Sequence, residues 1–334
     1  MRHPPRYFAA LILSLVAAAS AAAQDAVRIK QSGLYRGEIV QYDDQIIKIR
    51  LGTGDRTIDF PVEKIETVQT MRLPAQLAAE AALQRSDWQT AAREFRSALS
   101  QEKRAWAQQR MQADLVRVYA SLGDENAMVE TFLEISPHRR DPEILSQMPI
   151  RWTLEPPPTA EELARAKSWS EKAKDGAGAL IAASWLIDGP ESDAARQLLG
   201  RLATDVDERV RIIARALQVR ERLRRSPNSV KPADLAELRA DAAQAAGPLR
   251  AGPQFLLAAA TEKSAAPADA ALAYLKVAFV YGAKGDLAAE ALYRGAVAAE
   301  RGGLQPDAGR LYQELAKSHP SSAAAARAKK DGKI

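Results

Sequence analysis

The sequence predicts a mainly α-helical protein, an α-solenoid of stacked helical hairpins preceded by a small all-β barrel. One helix-face pattern supports the hairpins: a small or slim residue, an aromatic residue and an apolar residue at i, i+4 and i+7. Each copy is expected to be the second helix of a hairpin, and hairpins bury their apolar faces by stacking. The four copies are Ala91/Phe95/Ala98, Met128/Phe132/Ile135, Ala270/Tyr274/Val277 and Ala308/Tyr312/Leu315.

The hairpin pattern resembles the tetratricopeptide (TPR) repeat, and its last copy matches that family best. The residues in the family's order are Ala296, Gly303, Ala308, Tyr312, Leu315 and Pro320. The Trp-Leu-Gly of the family's first helix is missing from this chain. Ala91 and Met128 are 37 residues apart and Ala270 and Ala308 are 38 apart, against 34 in the family. The resemblance implies TPR-like hairpins over residues 73–136 and 254–320.

The middle of the chain, residues 160–225, resembles a HEAT repeat. In that family an Asp and an Arg form a ladder between hairpins, which the resemblance assigns to Asp205 and Arg211. The alternative is an amphipathic hairpin with a surface ion pair. The matching residues are Leu199, Leu202, Asp205, Asp207, Val210, Arg211, Ala214 and Leu217.

Breaks separate these helical regions. Prolines predict a linker over residues 137–159, and a linker with a short helix is expected over residues 226–253. Residues 321–334 are rich in Ala and Lys and are predicted to be a frayed tail.

Residues 24–72 predict the small barrel, of the SH3-like or Sm-like kind. Two alternating strands flank a Gly-containing turn at residues 52–55. Arg36-Gly37, Ile39 and Tyr42-Asp43 resemble the first Sm motif, and Sm proteins bind RNA. The family's RNA-contacting Asn is absent, and Lys64–Thr67 replaces the Arg-Gly of the second motif. The chain is therefore expected to bind no nucleic acid, and its barrel to dock on a partner or on the helices.

Residues 1–23 are typical of a cleaved secretory signal. Arg2 and Arg6 precede an apolar run over residues 8–19, and Ala21-x-Ala23 suits the export peptidase. The alternative is a membrane anchor, for which the apolar run is short. We therefore expect a periplasmic or secreted protein with no membrane span after cleavage. The chain has no Cys, so disulfides cannot form even in an oxidising compartment.

Charge and motif content point away from nucleic-acid binding and from catalysis. The 47 basic and 42 acidic residues are interleaved, and the formal net charge is +5, which is typical of a mixed surface. His3, His138 and His319 have no partner at metal spacing. Ser100–Lys103 matches SxxK without the companion motifs. The sequence predicts a protein that is not an enzyme, with no catalytic, cofactor-binding or metal-binding residue.

These observations favour an exported non-catalytic scaffold that binds a protein or peptide partner of the cell envelope. By the TPR resemblance, first-helix residues line the concave face of the solenoid, and five are candidates for partner binding. One alternative is an accessory subunit of a cell-envelope enzyme or polymer-export complex, and another is an enzyme with an unrecognised site. Among the tryptophans, which could form a sugar-binding platform if exposed, Trp152 beside the Pro-rich region is the one whose exposure should be tested. The five candidates are Arg110, Arg117, Tyr293, Glu300 and Arg301.

We expect the protein from its native host to begin at Gln24, because Ala21 and Ala23 occupy the positions that the export peptidase requires. N-terminal sequencing of the purified protein tests this. A chain that starts at Met1 and remains in the cytoplasm would contradict the exported location.

Overall fold

The computed structural model describes residues 24–135 and 148–334, apart from positions 44, 53, 155, 174, 227, 228, 246, 265 and 284. The predicted signal segment and the first part of the Pro-rich region, including His138, lie outside the described residues. The chain divides into two compact units at Gln112/Ala113. The prediction of a mainly helical chain with an N-terminal antiparallel sheet is confirmed.

Five antiparallel strands form the sheet of the first unit, in the order β4-β3-β2-β1-β5. The long strand β2 pairs with β1 along its first half and with β3 along its second half. A Cβ atom at Gly37 would lie 2.0 Å from the carbonyl oxygen of Arg50, so this close approach of two strands requires glycine. The strands are β1 (Asp25–Ile29), β2 (Gly33–Tyr42), β3 (Ile46–Arg50), β4 (Thr57–Pro61) and β5 (Ile65–Gln69).

The sheet is open, so the prediction of a closed barrel is wrong. Strands β4 and β5 are its two edges, each paired to one neighbour within the sheet. The apolar face is covered instead by Trp106 and Ala107. The indole Nε1 of Trp106 donates a hydrogen bond of 2.7 Å to the carbonyl oxygen of Ile39. A side chain from outside residues 24–72 thus supplies the cover that closure would have provided.

Three helices follow the sheet: α1 (Pro74–Gln84), α2 (Trp88–Gln101) and α3 (Ala105–Leu122), of which residues 105–112 belong to this unit. Helices α1 and α2 pack as a hairpin. The Asp87 side chain caps α2 by accepting a hydrogen bond from the backbone N–H of Thr90. Ala91, Phe95 and Ala98 are buried, as the helix-face pattern predicts.

A buried ion cluster joins the sheet to the turn between α2 and α3. The Arg104 guanidinium donates to Asp25 at 3.1 Å and to Glu102 at 2.8 Å, and also to the carbonyl oxygen of Met71. Asp25 in turn accepts from the backbone N–H groups of Ile39 and Met71. The hydrogen bond to Glu102, opposed by burial, raises the pKa of Arg104 above its usual range. The cluster therefore joins four separate stretches of chain, three through Arg104 and the fourth, at Ile39, through Asp25.

The second unit contains eleven further helices among the described residues. Each packs on the next along the chain, and from α4 each even-numbered helix also packs on the next even-numbered one. We call α4, α6, α8, α10, α12 and α14 the even row. One continuous core runs from Val116 to Ala291. The helices are α4 (Glu125–Glu134), α5 (Ala160–Lys172), α6 (Gly176–Leu186), α7 (Ser192–Leu202), α8 (Glu208–Arg225), α9 (Pro232–Gln244), α10 (Ala251–Ser264), α11 (Pro267–Phe279), α12 (Gly285–Arg301), α13 (Gln305–Ser318) and α14 (Ala323–Lys330).

The aromatic residue is buried in all four copies of the pattern: Phe95, Phe132, Tyr274 and Tyr312. The copy on α4 packs on α5 and on α6, and its Phe132 lies in the same core as Val116 of α3. The pattern marks a buried helix face, but it does not specify which neighbour covers that face.

The Asp205–Arg211 pair does not form the ladder that the HEAT resemblance implied. Arg211 donates to the backbone carbonyl oxygen of Asp205 at 2.7 Å. The Asp205 carboxylate accepts from the backbone N–H of Asp207 at 2.8 Å. Both contacts are local to the start of α8, because they satisfy backbone groups of the turn that precedes the helix.

Two regions predicted to be loose are packed. Within the Pro-rich region, Met148, Trp152 and Leu154 are buried, since proline prevents a helix without preventing burial. At the other end, α14 lies in the stretch predicted to fray. The Ser322 side chain caps it, and its alanines pack against the cluster formed with α12. No helix in the described part of the chain is long and apolar enough to cross a membrane.

We expect Arg104→Ala to lower the free energy of unfolding by about 3–5 kcal/mol, because it leaves buried carboxylates of Asp25 and Glu102 unpaired. Chemical denaturation measures this change. Arg93→Ala is the matched control: its side chain is exposed, so the cost should stay within about 0.5 kcal/mol. Equal effects of the two variants would show that the buried cluster is not a stabilising contact.

Candidate functional site

Two of the five predicted partner-binding residues lie on α3. The guanidinium of Arg110 is 3.7 Å from the centre of the Tyr42 ring, a cation–π contact within the first unit. Arg117 lies in the second unit, where its exposed side chain forms an ion pair with Asp114 one turn away. Arg110 is therefore engaged with the sheet, whereas Arg117 remains accessible.

The other three residues lie together on α12, and each has a partner within the second unit. The Tyr293 hydroxyl donates to Asp331 at 2.9 Å. Glu300 accepts from Lys333 at 2.7 Å. Arg301 pairs with Glu262 at 3.3 Å, although its side chain is 60% exposed. The chain's own C-terminal segment thus covers part of the surface that the sequence assigned to a partner.

A seven-residue segment of the chain lies on the middle of the even row. Residues 148–154, which we call the resident segment, form neither helix nor strand. The backbone N–H of Arg151 donates to the Ser184 hydroxyl on α6 at 3.1 Å. The carbonyl oxygen of Thr153 accepts two hydrogen bonds from Arg220 on α8, at 3.1 and 2.8 Å. Trp152, whose exposure the sequence left open, is buried against Gly252 on α10.

Arg220 and Asp188 form the charged centre of this arrangement. The Arg220 side chain is fully buried, and the Asp188 carboxylate with which it pairs is 1% exposed. Asp188 also pairs with Arg151 at 2.9 Å and with Arg224. Burial, opposed by the charge of Asp188, lowers the pKa of Arg220 to about 10. The guanidinium stays charged at neutral pH and can hold the carboxylate and the backbone carbonyl together.

Neither Arg220 nor Asp188 is among the site residues that the sequence predicted. Arg220 begins a basic run over residues 220–225, and such a run is typical of a solvated helix end. A signal was nevertheless present, because Ile213, Leu217 and Arg220 recur at the spacing of one helix face. An arginine in line with two apolar residues indicates a buried guanidinium that needs an acidic partner.

Two carboxyl groups form a second polar feature, Glu125 on α4, which is half-buried, and Asp286 on α12, which is exposed. Burial, then the charges of Glu162 and Asp286, raises the pKa of Glu125 to about 7, and Arg151 opposes this shift. Burial lowers the pKa of His319. Glu125 can therefore take up or release a proton near neutral pH.

An apolar groove of about 310 Å³ lies between α11 and α13. Leu272 at its edge is 52% exposed, and Phe279, two turns further along α11, is 61% exposed. Asp307 and Arg310 line the same groove and pair with each other at 3.4 Å. Nothing in this groove resembles a reactive site.

Within the described residues, no three side chains of the His, Asp and Glu types come together as a metal ion would require. Comparison of the chain with protein-family models, with curated proteins and with solved structures gave no match.

We expect Glu125 to make the free energy of unfolding fall as the pH rises from about 4.5 to about 7. The Glu125→Gln variant should lack this part of the pH dependence. Across this range the folded chain keeps a proton on Glu125 that the unfolded chain has released. Wild type should therefore lose stability relative to the variant, by no more than about 3 kcal/mol. Denaturation at several pH values measures the difference.

The control for this measurement is Glu171→Gln, which changes an exposed carboxyl group on α5 and should leave the pH dependence as it is in wild type. A constant difference between wild type and Glu125→Gln across the range would show that the folded chain does not protonate Glu125.

Proposed function

We propose that the protein is an exported, non-catalytic scaffold that binds a protein partner in the cell envelope. In this proposal the second unit is an α-solenoid of TPR-like and HEAT-like hairpins. Residues 1–23 direct the chain to the periplasm and are removed there. The alternative is an accessory subunit of an envelope enzyme or polymer-export complex. It differs from the first proposal only in that the partner is one fixed enzyme or complex.

The observation that carries the proposal is the even row. From α4 to α14, each even-numbered helix packs on the next even-numbered helix. Among the described residues, consecutive odd-numbered helices have no comparable contact. Stacked hairpins make this pattern, since each repeat contacts its neighbours and adds one helix to a continuous face. A continuous helical face is a surface that extended partners use in repeat proteins.

Two exposed arginines are the candidate contacts, Arg301 on α12 of the even row and Arg117 on α3, which precedes the row. Arg117 and Arg301 are the two predicted partner-binding residues whose side chains are 43% and 60% exposed. Charged groups at the rim of an interface alter association rate and specificity more than stability. The first unit supplies a second surface, because strands β4 and β5 leave two open sheet edges to which an extended segment can pair.

A catalytic role is the competing function, and Glu125 is the observation that favours it. A carboxyl group with a pKa of about 7 is suited to acid–base chemistry at neutral pH. Among the described residues, no group of His, Asp and Glu side chains forms a metal site beside it. Burial and neighbouring carboxylates also account for its pKa without a reaction. We therefore favour the scaffold.

We expect the pair Arg117→Glu with Arg301→Glu to weaken capture of the envelope partner several-fold. The two changes should alter the free energy of unfolding by less than about 1 kcal/mol, because both side chains are exposed. Affinity capture with the full chain from the envelope fraction measures retention, and denaturation checks the fold.

The matched control is Arg93→Glu with Lys276→Glu, which reverses two exposed charges on α2 and α11. Equal retention by both pairs would overturn the role assigned to Arg117 and Arg301. A partner enzyme retained at fixed stoichiometry in high salt would identify the protein as an accessory subunit. Failure to retain any partner would overturn the scaffold proposal.

A further inference from the structure

The middle of the even row is already occupied by a peptide, and that peptide belongs to the same chain. The resident segment, residues 148–154, touches three successive helices of the row. Ser184 on α6, Arg220 on α8 and Gly252 on α10 each contact it. We call the surface that these three helices offer the segment groove.

The segment groove recognises the peptide backbone with buried polar groups. Ser184 and Arg220 are both fully buried, and burial of such groups is costly unless they are hydrogen-bonded. Their hydrogen-bond partners include the N–H of Arg151 and the carbonyl oxygen of Thr153. Neither contact depends on the side chain at the recognised position. The groove can therefore hold any non-helical segment that presents an N–H and a carbonyl two residues apart.

Side-chain selectivity comes from the neighbouring positions. A Cβ atom at Gly252 would lie 2.1 Å from the ring of Trp152, so the glycine leaves the space that an indole fills. Trp152 and Leu154 are both buried, whereas Arg151 pairs with Asp188 at 2.9 Å. The groove is thus matched to a peptide with an Arg, then a Trp, and a Leu two positions after the Trp.

We propose that the segment groove is a self-occupied peptide site, in which residues 148–154 exclude an external segment with the same Arg-Trp-x-Leu chemistry. This inference rests on the proposed scaffold function and deepens it by naming the class of partner segment. The partner enters when the resident segment leaves. The partner's backbone, Arg, Trp and Leu then make the contacts that the corresponding groups of the resident segment made.

Self-occupancy has a measurable consequence for affinity. The apparent affinity for an external peptide equals the affinity of the open groove multiplied by the fraction of molecules in which the groove is open. A change that weakens the resident segment without altering the groove should therefore strengthen binding of the external peptide. Trp152→Ala is such a change, because it removes the indole from the segment and leaves Gly252 in place.

The experiment uses the full chain and a labelled synthetic peptide that copies residues 148–154. We expect Trp152→Ala to bind this peptide at least about tenfold more tightly than wild type does. A second peptide, with Ala in place of its Trp, should not bind either chain. Equal binding of both peptides by the Trp152→Ala chain, or binding of neither peptide, would overturn the proposal.

A matched variant tests whether the peptide binds by placing its indole beside Gly252 or only because Trp152→Ala loosens the fold. The double change Trp152→Ala with Gly252→Ala keeps the weakened resident segment but places a methyl group where the peptide's indole must lie. The free space left by Trp152 accommodates that methyl group, so the chain should fold. We expect the double variant to bind the peptide at least about tenfold more weakly than Trp152→Ala alone. Unchanged binding would show that the indole does not occupy this space.

Hydrogen exchange of the wild-type chain tests the proposal independently, including the case in which Trp152→Ala fails to fold. The amide of Arg151 should exchange through a local opening, at least about tenfold faster than buried amides of α6 and α8. Exchange of this amide at the rate of global unfolding would mean that the segment never leaves the groove, and would overturn the proposal.

The two proposals fail separately, because the peptide experiment needs no envelope partner. A chain that captures a partner but binds no peptide would refute the segment groove alone. A chain that binds the peptide but retains no envelope partner would refute the scaffold alone.

Discussion

The buried pairing of Arg220 with Asp188 is the contact on which the middle of the second unit depends. The guanidinium joins α8 to the residues after α6 and to the resident segment, through the carbonyl oxygen of Thr153. Desolvation makes a lone buried charge very costly, and a charged partner with further hydrogen bonds offsets that cost. Arg104 in the first unit follows the same rule with Asp25 and Glu102. A chain without cysteine thus fixes its loops with buried guanidinium groups.

Local periodicity made the helices and strands predictable. A helix face repeats within seven residues, so the burial of Phe95 or Tyr274 can be inferred from neighbours in the sequence. Closure of the sheet could not be inferred in this way. It depends on which element covers the apolar face, and Trp106 comes from a helix well beyond the last strand.

The candidate site was harder to predict than the fold, because its groups are polar and act over long sequence distances. The sequence of a basic run does not reveal whether its arginines are solvated or whether one of them, such as Arg220, pairs with a buried carboxylate such as that of Asp188. The carbonyl oxygen of Thr153 that fixes Arg220 is 67 residues away. Prolines around residue 150 indicated the absence of a helix but gave no information about burial. The five residues chosen by repeat position lie on helix surfaces, yet the C-terminal segment engages two of them.

The contacts of Arg104 and Trp106 also have a consequence for the order in which the first unit assembles. Arg104 reaches Asp25 across 79 positions of sequence, and Trp106 reaches Ile39 across 67. Contacts of such separation slow folding, because the ends of a long loop must meet before any stabilisation is gained. The sheet therefore cannot complete its core until the start of α3 has emerged. During synthesis from the N-terminus, the sheet therefore lacks its cover from Gln69, at the end of β5, until Trp106 has been added 37 residues later. Over that stretch its apolar face is exposed to chaperones and proteases.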